Sequence, residues 1–152
     1  TIDLDIRLTA VEKVTFGDTK EGCFAIRLAS PLEEKRGGKM VSSDGKLGEK
    51  LIWGKQYPWV DYYGDIEGET LGVTIMDHPT SHRHPTYWHS RAYGLFAANV
   101  WGLHDFVDKS KDGSETLEPG QTMRFRYRVV IHPGDTESAG IAAIYKKYSA
   151  IK

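Results

Sequence analysis

The chain has 152 residues, with 20 basic and 21 acidic side chains and a formal net charge of −1, a length that can bury a real core as one domain. The mixed charges leave no basic footprint for nucleic acid, and no apolar run approaches the roughly 20 residues that a helical membrane span needs. The single cysteine, Cys23, excludes an internal disulfide and a cysteine-based zinc site and reads as packing. We therefore expect one β-rich domain over 1–152, without nucleic acid or membrane as partner. Nothing at the N-terminus reads as a signal peptide, and the compartment is left open.

Along the chain, Ile2, Leu4, Ile6 and Leu8 alternate with Asp3, Asp5, Arg7 and Thr9 from the first residues, which marks a strand with no lead-in and suggests sequence upstream. The same period of two recurs around Phe24 and Ile26, over Leu71 to Ile75, and through Met123, Phe125, Tyr127, Val129 and Ile131. Turn signals separate these runs: Gly37-Gly38, Ser43-Asp44-Gly45, Glu67-Gly68, Lys111-Asp112-Gly113 and Pro119-Gly120. The polar stretch Glu33 to Lys50 reads as a long hairpin connection, and Tyr93 to Leu103 as a buried strand in which Asn99 satisfies backbone groups. Ser138 to Ile151 breaks the pattern, with Ile141, Ile144, Tyr145 and Tyr148 at helical spacing after Asp135-Thr136. The expected fold is an all-β antiparallel β-sandwich whose short C-terminal helix lids one end or edge of the sheet.

Chemistry concentrates between Asp77 and Arg91, where four of the six histidines (His78, His82, His84 and His89) fall within twelve residues. His82 and His84 stand at i, i+2, which in an extended, proline-stiffened chain places both imidazoles on one face. One reading is a carbohydrate site. Arg83, Arg91 and the histidines bond hydroxyls, Trp88 and Trp59 stack on sugar rings, and a histidine moves protons near neutral pH. A second is a divalent-metal site built from His82 and His84 with His78 or His89 and Asp77. A third is structural, with these side chains satisfying carbonyls in a proline-rich loop and Trp88 packing.

A charged turn, Asp18-Thr19-Lys20-Glu21, lies between glycines before the strand at Phe24. Glu21 or Asp18 can act as a base or hold a histidine, and Lys20 can bind an oxyanion; a solvated turn with a local ion pair explains the same residues. Of the aromatic run from Trp53 to Tyr63 most residues suit a core, and Trp59 is kept as a site candidate. His104 is open to either use.

Taken together, Gly17-Asp18-Thr19-Lys20-Glu21-Gly22, Trp53-Gly54-Lys55, Pro58-Trp59-Val60-Asp61, Asp77-His78-Pro79, His82-Arg83-His84-Pro85, Trp88-His89, Phe125-Arg126-Tyr127-Arg128 and Ile131-His132-Pro133-Gly134-Asp135 resemble the PmoA-like family of bacterial proteins. The resemblance implies that this chain is the C-terminal half of a longer family domain. It also implies an association with bacterial sugar catabolism and an architecture similar to the galactose-mutarotase supersandwich. The family's methane-oxygenase label belongs to an integral membrane protein and is not adopted. In mutarotase-like enzymes a histidine acid and a carboxylate base flank the sugar, so by analogy His84 or His89 pairs with Glu21. The leading expectation is a carbohydrate-processing site in which Glu21, His84 and His89 are catalytic and Asp18, Lys20, Trp59, Arg83, Trp88 and Arg91 bind the sugar, with no metal and no cofactor. The alternatives are a non-catalytic carbohydrate-binding module and a His-ligated metal protein. Open strand edges would pair with the missing N-terminal half or a second copy.

Overall fold

The computed structural model describes residues 1–152. In chain order the strands are β1 (Ile2–Thr9), β2 (Val14–Phe16), β3 (Phe24–Arg27), β4 (Lys39–Ser42), β5 (Trp59–Ile66), β6 (Glu69–Asp77), β7 (Tyr87–Ser90), β8 (Leu95–Asn99), β9 (Glu115–Leu117) and β10 (Thr122–Pro133). Single-turn helices α1 (Glu49–Ile52) and α2 (Leu103–Phe106) lie in connections, and α3 (Ile141–Ser149) follows β10.

A large sheet of order β1-β10-β6-β5-β4 faces a small sheet of order β3-β8-β7, while β2 and β9 pair separately; every pairing is antiparallel. The architecture is thus the expected β-sandwich with a short C-terminal helix. Alternation decides which side chains enter the core. Met123, Phe125, Tyr127 and Val129 of β10 join Val60, Tyr62 and Ile75 of the large sheet against Trp88, Phe96 and Ala98 of the small one. Ile131 keeps the inward phase yet is 65% exposed; it lies beyond Val129, where the pairing of β10 with β1 ends. At the β5–β6 turn Glu67 and Gly68 both have positive φ, 56° and 87°, as a two-residue hairpin with right-handed strand twist requires.

Two expectations change. Glu33 to Lys50 is not all connection, for it contains the edge strand β4, where Met40 and Ser42 turn inward and are buried at 1% exposure each. Too few apolar residues alternate there to mark it. The helix is shorter than expected, beginning after Gly140, whose φ of 65° ends the preceding turn. It also covers a face and not an end of the sandwich: Ile141 and Tyr148, with Ile144 and Tyr145, pack on Trp59, Met76 and Val130 of the outer side of the large sheet. That spacing makes one apolar stripe, and each buried large side chain contributes about 1.5–3 kcal/mol.

Since α3 covers the outer face, polar residues there are also removed from water. Asp61 is fully buried and accepts from Thr74 Oγ1 at 2.7 Å, Thr136 Oγ1 at 2.6 Å and His132 Nε2 at 3.0 Å. Gly72 makes room for this group, since a Cβ there would collide with the His132 ring. Burial disfavours the charged imidazole, but the hydrogen bond and charge of Asp61 outweigh it, so the His132 pKa lies above the ordinary value.

Asp61→Ala strands three donors and is expected to lower unfolding free energy by about 3–5 kcal/mol, read by urea denaturation. The His132 contribution has the sign of a raised pKa: fully present below about pH 6.5 and lost as pH rises through the folded value. The wild-type protein therefore loses stability over that window, whereas a flat profile would contradict the assignment.

Candidate functional site

On β6 the inward positions run Leu71, Val73, Ile75 and then Asp77, so a carboxylate occupies the next core-facing site. Asp77 is 1% exposed. Its Oδ2 accepts from His84 Nδ1 at 2.8 Å and from the Thr86 backbone N–H at 2.9 Å, while Oδ1 is buried without a protein partner. The loop between β6 and β7 is pinned along β10 by His78 N–H to the Arg126 carbonyl at 3.0 Å and His82 N–H to the Arg124 carbonyl at 2.8 Å. This pinning fixes where His84 lies. A carboxylate only accepts, so the His84 proton sits on Nδ1 and Nε2 is the free lone pair of the neutral ring. The His84 side chain is 20% exposed, and Nε2 makes no hydrogen bond within the protein.

A second carboxylate stands beside the loop. Glu115 Oε2 accepts from His82 Nε2 at 2.7 Å and from Arg83 Nη2 at 3.1 Å. The expectation of two parallel imidazoles fails here, because the backbone turns between them, with Arg83 at φ 55°, and sends His82 to Glu115 and His84 to Asp77. No group of three or more His, Cys, Asp or Glu side chains gathers as a metal would require. Arg83 is spent on architecture: Nη1 donates to the carbonyls of Val100 at 3.1 Å and Gly113 at 2.7 Å, tying this loop to the one before β9.

The charged turn before β3 reaches the same end of the sandwich through its backbone. His89 Nδ1 donates to the Lys20 carbonyl at 2.8 Å and Asn99 Nδ2 to the Thr19 carbonyl at 2.8 Å. Asn99 Oδ1 accepts from Trp101 N–H at 2.9 Å, the backbone role expected of it. Asp18 Oδ2 receives the N–H groups of His104 and Gly113. His89 is 3% exposed and packs edge-on against Trp53 and Phe106. The Glu21 side chain is bonded to neither His84 nor His89; Nδ1 of His84 is taken by Asp77 and Nδ1 of His89 by the Lys20 carbonyl. The sugar-stacking expectation is corrected as well. Trp88 is fully buried, with Nε1 donating to the Tyr57 carbonyl at 2.8 Å, and Trp59 lies beneath α3, so neither offers a ring face. Arg91 pairs with Glu49 at 2.9 Å and lies over Trp53 and Tyr93.

Asp77 and Glu115 are the partners that sequence reasoning missed for the two histidines. Asp77 carried a signal, being a carboxylate in phase with Leu71, Val73 and Ile75; Glu115 carried none, 33 residues from His82. Deeper in, Tyr127 pairs with Asp77 across β6 and β10 and lies 3.8 Å from the Cys23 sulfur. Burial pushes the thiol, which is half-buried, up to about 11, so Cys23 is a protonated, unreactive group at neutral pH. Two open surface grooves, of about 340 and 390 Å³, lie elsewhere on the molecule, and His84 opens onto a shallow part of the surface.

Residues 1–146 match the model of a family described as a family of unknown function, DUF6807. The chain belongs to this family. The match brings no link to the PmoA label or to an activity. No curated protein and no solved structure matches the chain.

The geometry makes Asp18 a fastener of the loops around the site. Asp18→Ala frees two backbone N–H groups and is expected to cost about 1–3 kcal/mol, measured by thermal or urea unfolding; a change within the error of the measurement would remove Asp18 from that role.

Proposed function

We propose that this protein performs acid–base chemistry on a hydroxylated ligand, a carbohydrate, with His84 as the proton-transfer group and Asp77 as the buried carboxylate that orients it. The hydrogen bond from His84 Nδ1 to Asp77 Oδ2, 2.8 Å long with Asp77 closed to solvent, carries this reading. It fixes the tautomer and leaves Nε2 as the base. The buried carboxylate also stabilises the imidazolium that forms when a proton is taken, as the carboxylate of a serine-protease triad does. Asp77 replaces Glu21 in the pairing expected from the mutarotase analogy.

The carbohydrate half rests on the resemblance to the PmoA-like family and on the surroundings of His84. The exposed Arg83 and the half-buried His82 neighbour it in the loop, and the Gln56 amide donates to the Pro85 carbonyl at 2.6 Å. Arg83, His82 and Gln56 each make bonds within the protein, yet they give His84 a polar surround and not an apolar wall, which suits hydroxyls better than a hydrophobic substrate. An open surface suits the end of a chain or a small sugar.

The test is a panel of reducing sugars and oligosaccharides followed by NMR for anomeric exchange and product. We expect turnover that falls about 10²–10⁴-fold in His84→Ala and by up to about 10⁴-fold in Asp77→Asn, with sugar binding retained in both. Binding without turnover in the wild-type protein would make it a carbohydrate-binding module, and undiminished turnover in His84→Ala would sink the assignment.

A further inference from the structure

Strand β1 is an edge of the large sheet, paired only with β10. Its eight residues include no proline, so nothing in its backbone blocks addition of another strand. Ala10, directly after it, turns both backbone groups toward the β10 side, N–H to the Gln121 carbonyl at 2.9 Å and carbonyl to Gly120 N–H at 2.8 Å. By the alternation of antiparallel pairing, Asp3, Asp5, Arg7 and Thr9 present their N–H and C=O groups outward. Ile2 and Leu8 on the inward face are 55% and 37% exposed.

We infer that this edge is where a second copy of the chain docks, β1 against β1 in antiparallel register about Ile6, giving one continuous ten-stranded sheet. The register follows from charge. Centring the pair on Asp5 would oppose two carboxylates, and centring it on Arg7 two guanidinium groups. Centring it on Ile6 sets Asp5 opposite Arg7 of the partner and Arg7 opposite its Asp5, with Leu4 opposite Leu8 and Asp3 opposite Thr9.

Asp5 already accepts from Arg124 through both oxygens, at 2.8 and 2.6 Å, and this holds its carboxyl down at about 2; it is ionised and fixed on the sheet. Arg7 lies 3.7 Å from Asp5 in its own chain, with 63% of its side chain exposed, and is free to reach across. At the junction each Asp5, held by Arg124 of its own chain, then faces Arg7 of the other copy, so the bonded charges alternate in sign. Outward-facing Asp5 and Arg7 fall in the hydrogen-bonded pairs and Ile6 in a non-hydrogen-bonded pair.

Shape agrees with charge. The same register brings Ile2 of one copy opposite Ala10 of the other, and Ala10 lies in the apolar groove of about 390 Å³ formed with Leu8, Val14, Phe16 and Leu117. The exposed isoleucine meets the hollow that would receive it.

Sedimentation velocity over a concentration series tests the proposal. The wild-type chain is expected to dimerise, and Arg7→Pro, which removes an outward N–H, and Arg7→Asp, which opposes two carboxylates, each raise the dimer Kd at least about tenfold. Ile6→Cys places two thiols on facing strands with Cα atoms about 4.5 Å apart, within disulfide range, and is expected to yield a covalent dimer on mild oxidation, whereas the wild-type chain with its half-buried Cys23 does not. A chain that stays monomeric up to about 1 mM overturns the inference, as does a dimer that ignores both Arg7 substitutions and leaves Ile6→Cys uncrosslinked.

Discussion

Strands β6 and β10 run through the middle of a sheet that is covered on both faces, by the small sheet within and by α3 outside. Under that constraint a polar side chain on either strand has no water to fall back on and must be paired inside the protein. Three buried polar groups on these strands and the neighbouring β5 organise the molecule. Asp77 on the inner face takes His84. On the outer face Asp61 of the neighbouring β5 takes His132, and Arg126 of β10 donates to His78 Nδ1, Thr80 Oγ1 and the Ile151 carbonyl at 3.1, 3.1 and 3.2 Å. The segments these groups hold, the loop after β6 and the α3 region, are the parts of the chain without a strand ladder of their own.

The histidines divide by what holds them. His132 is locked between Asp61 and a backbone carbonyl under α3, and burial and then the charge of Arg126 keep His78 below the ordinary pKa and neutral. His89 is packed among aromatic rings with Nδ1 on a carbonyl. His82 shares a partly exposed carboxylate with Arg83. Only His84 is held by a carboxylate excluded from solvent while itself reaching the surface. A carboxylate so placed stabilises charge on the ring without competing for water, and the ring is oriented before a ligand arrives. Such preorganisation is what sets His84 apart from the other histidines as the candidate.

The sandwich was legible because its long strands alternate cleanly: Met123 to Val129 and Leu71 to Ile75 face the core as their pattern requires, and the turn at Glu67-Gly68 lies where its residues predict. β4 was not legible, since Met40 and Ser42 give only two inward positions. Neither was the place of α3, because its stripe of Ile141, Ile144, Tyr145 and Tyr148 says that a face is buried and not against what. For the candidate site, the clustering of residues was legible but their pairing was not. His84 was singled out by clustering, yet its partner was sought in Glu21, while the in-phase Asp77 on the adjoining strand was taken only as a metal candidate. Trp88 and Trp59 look alike on paper as ligand platforms and as core, and depth alone separates the two; both proved to be core.

The most direct test of this account is the tautomer of His84, observed by long-range proton–nitrogen NMR of the imidazole rings in alkaline buffer. The account predicts the form protonated at Nδ1, with a strongly deshielded, slowly exchanging proton that disappears in Asp77→Ala. A ring protonated at Nε2, or one averaging between the two forms in the wild-type protein, would contradict it.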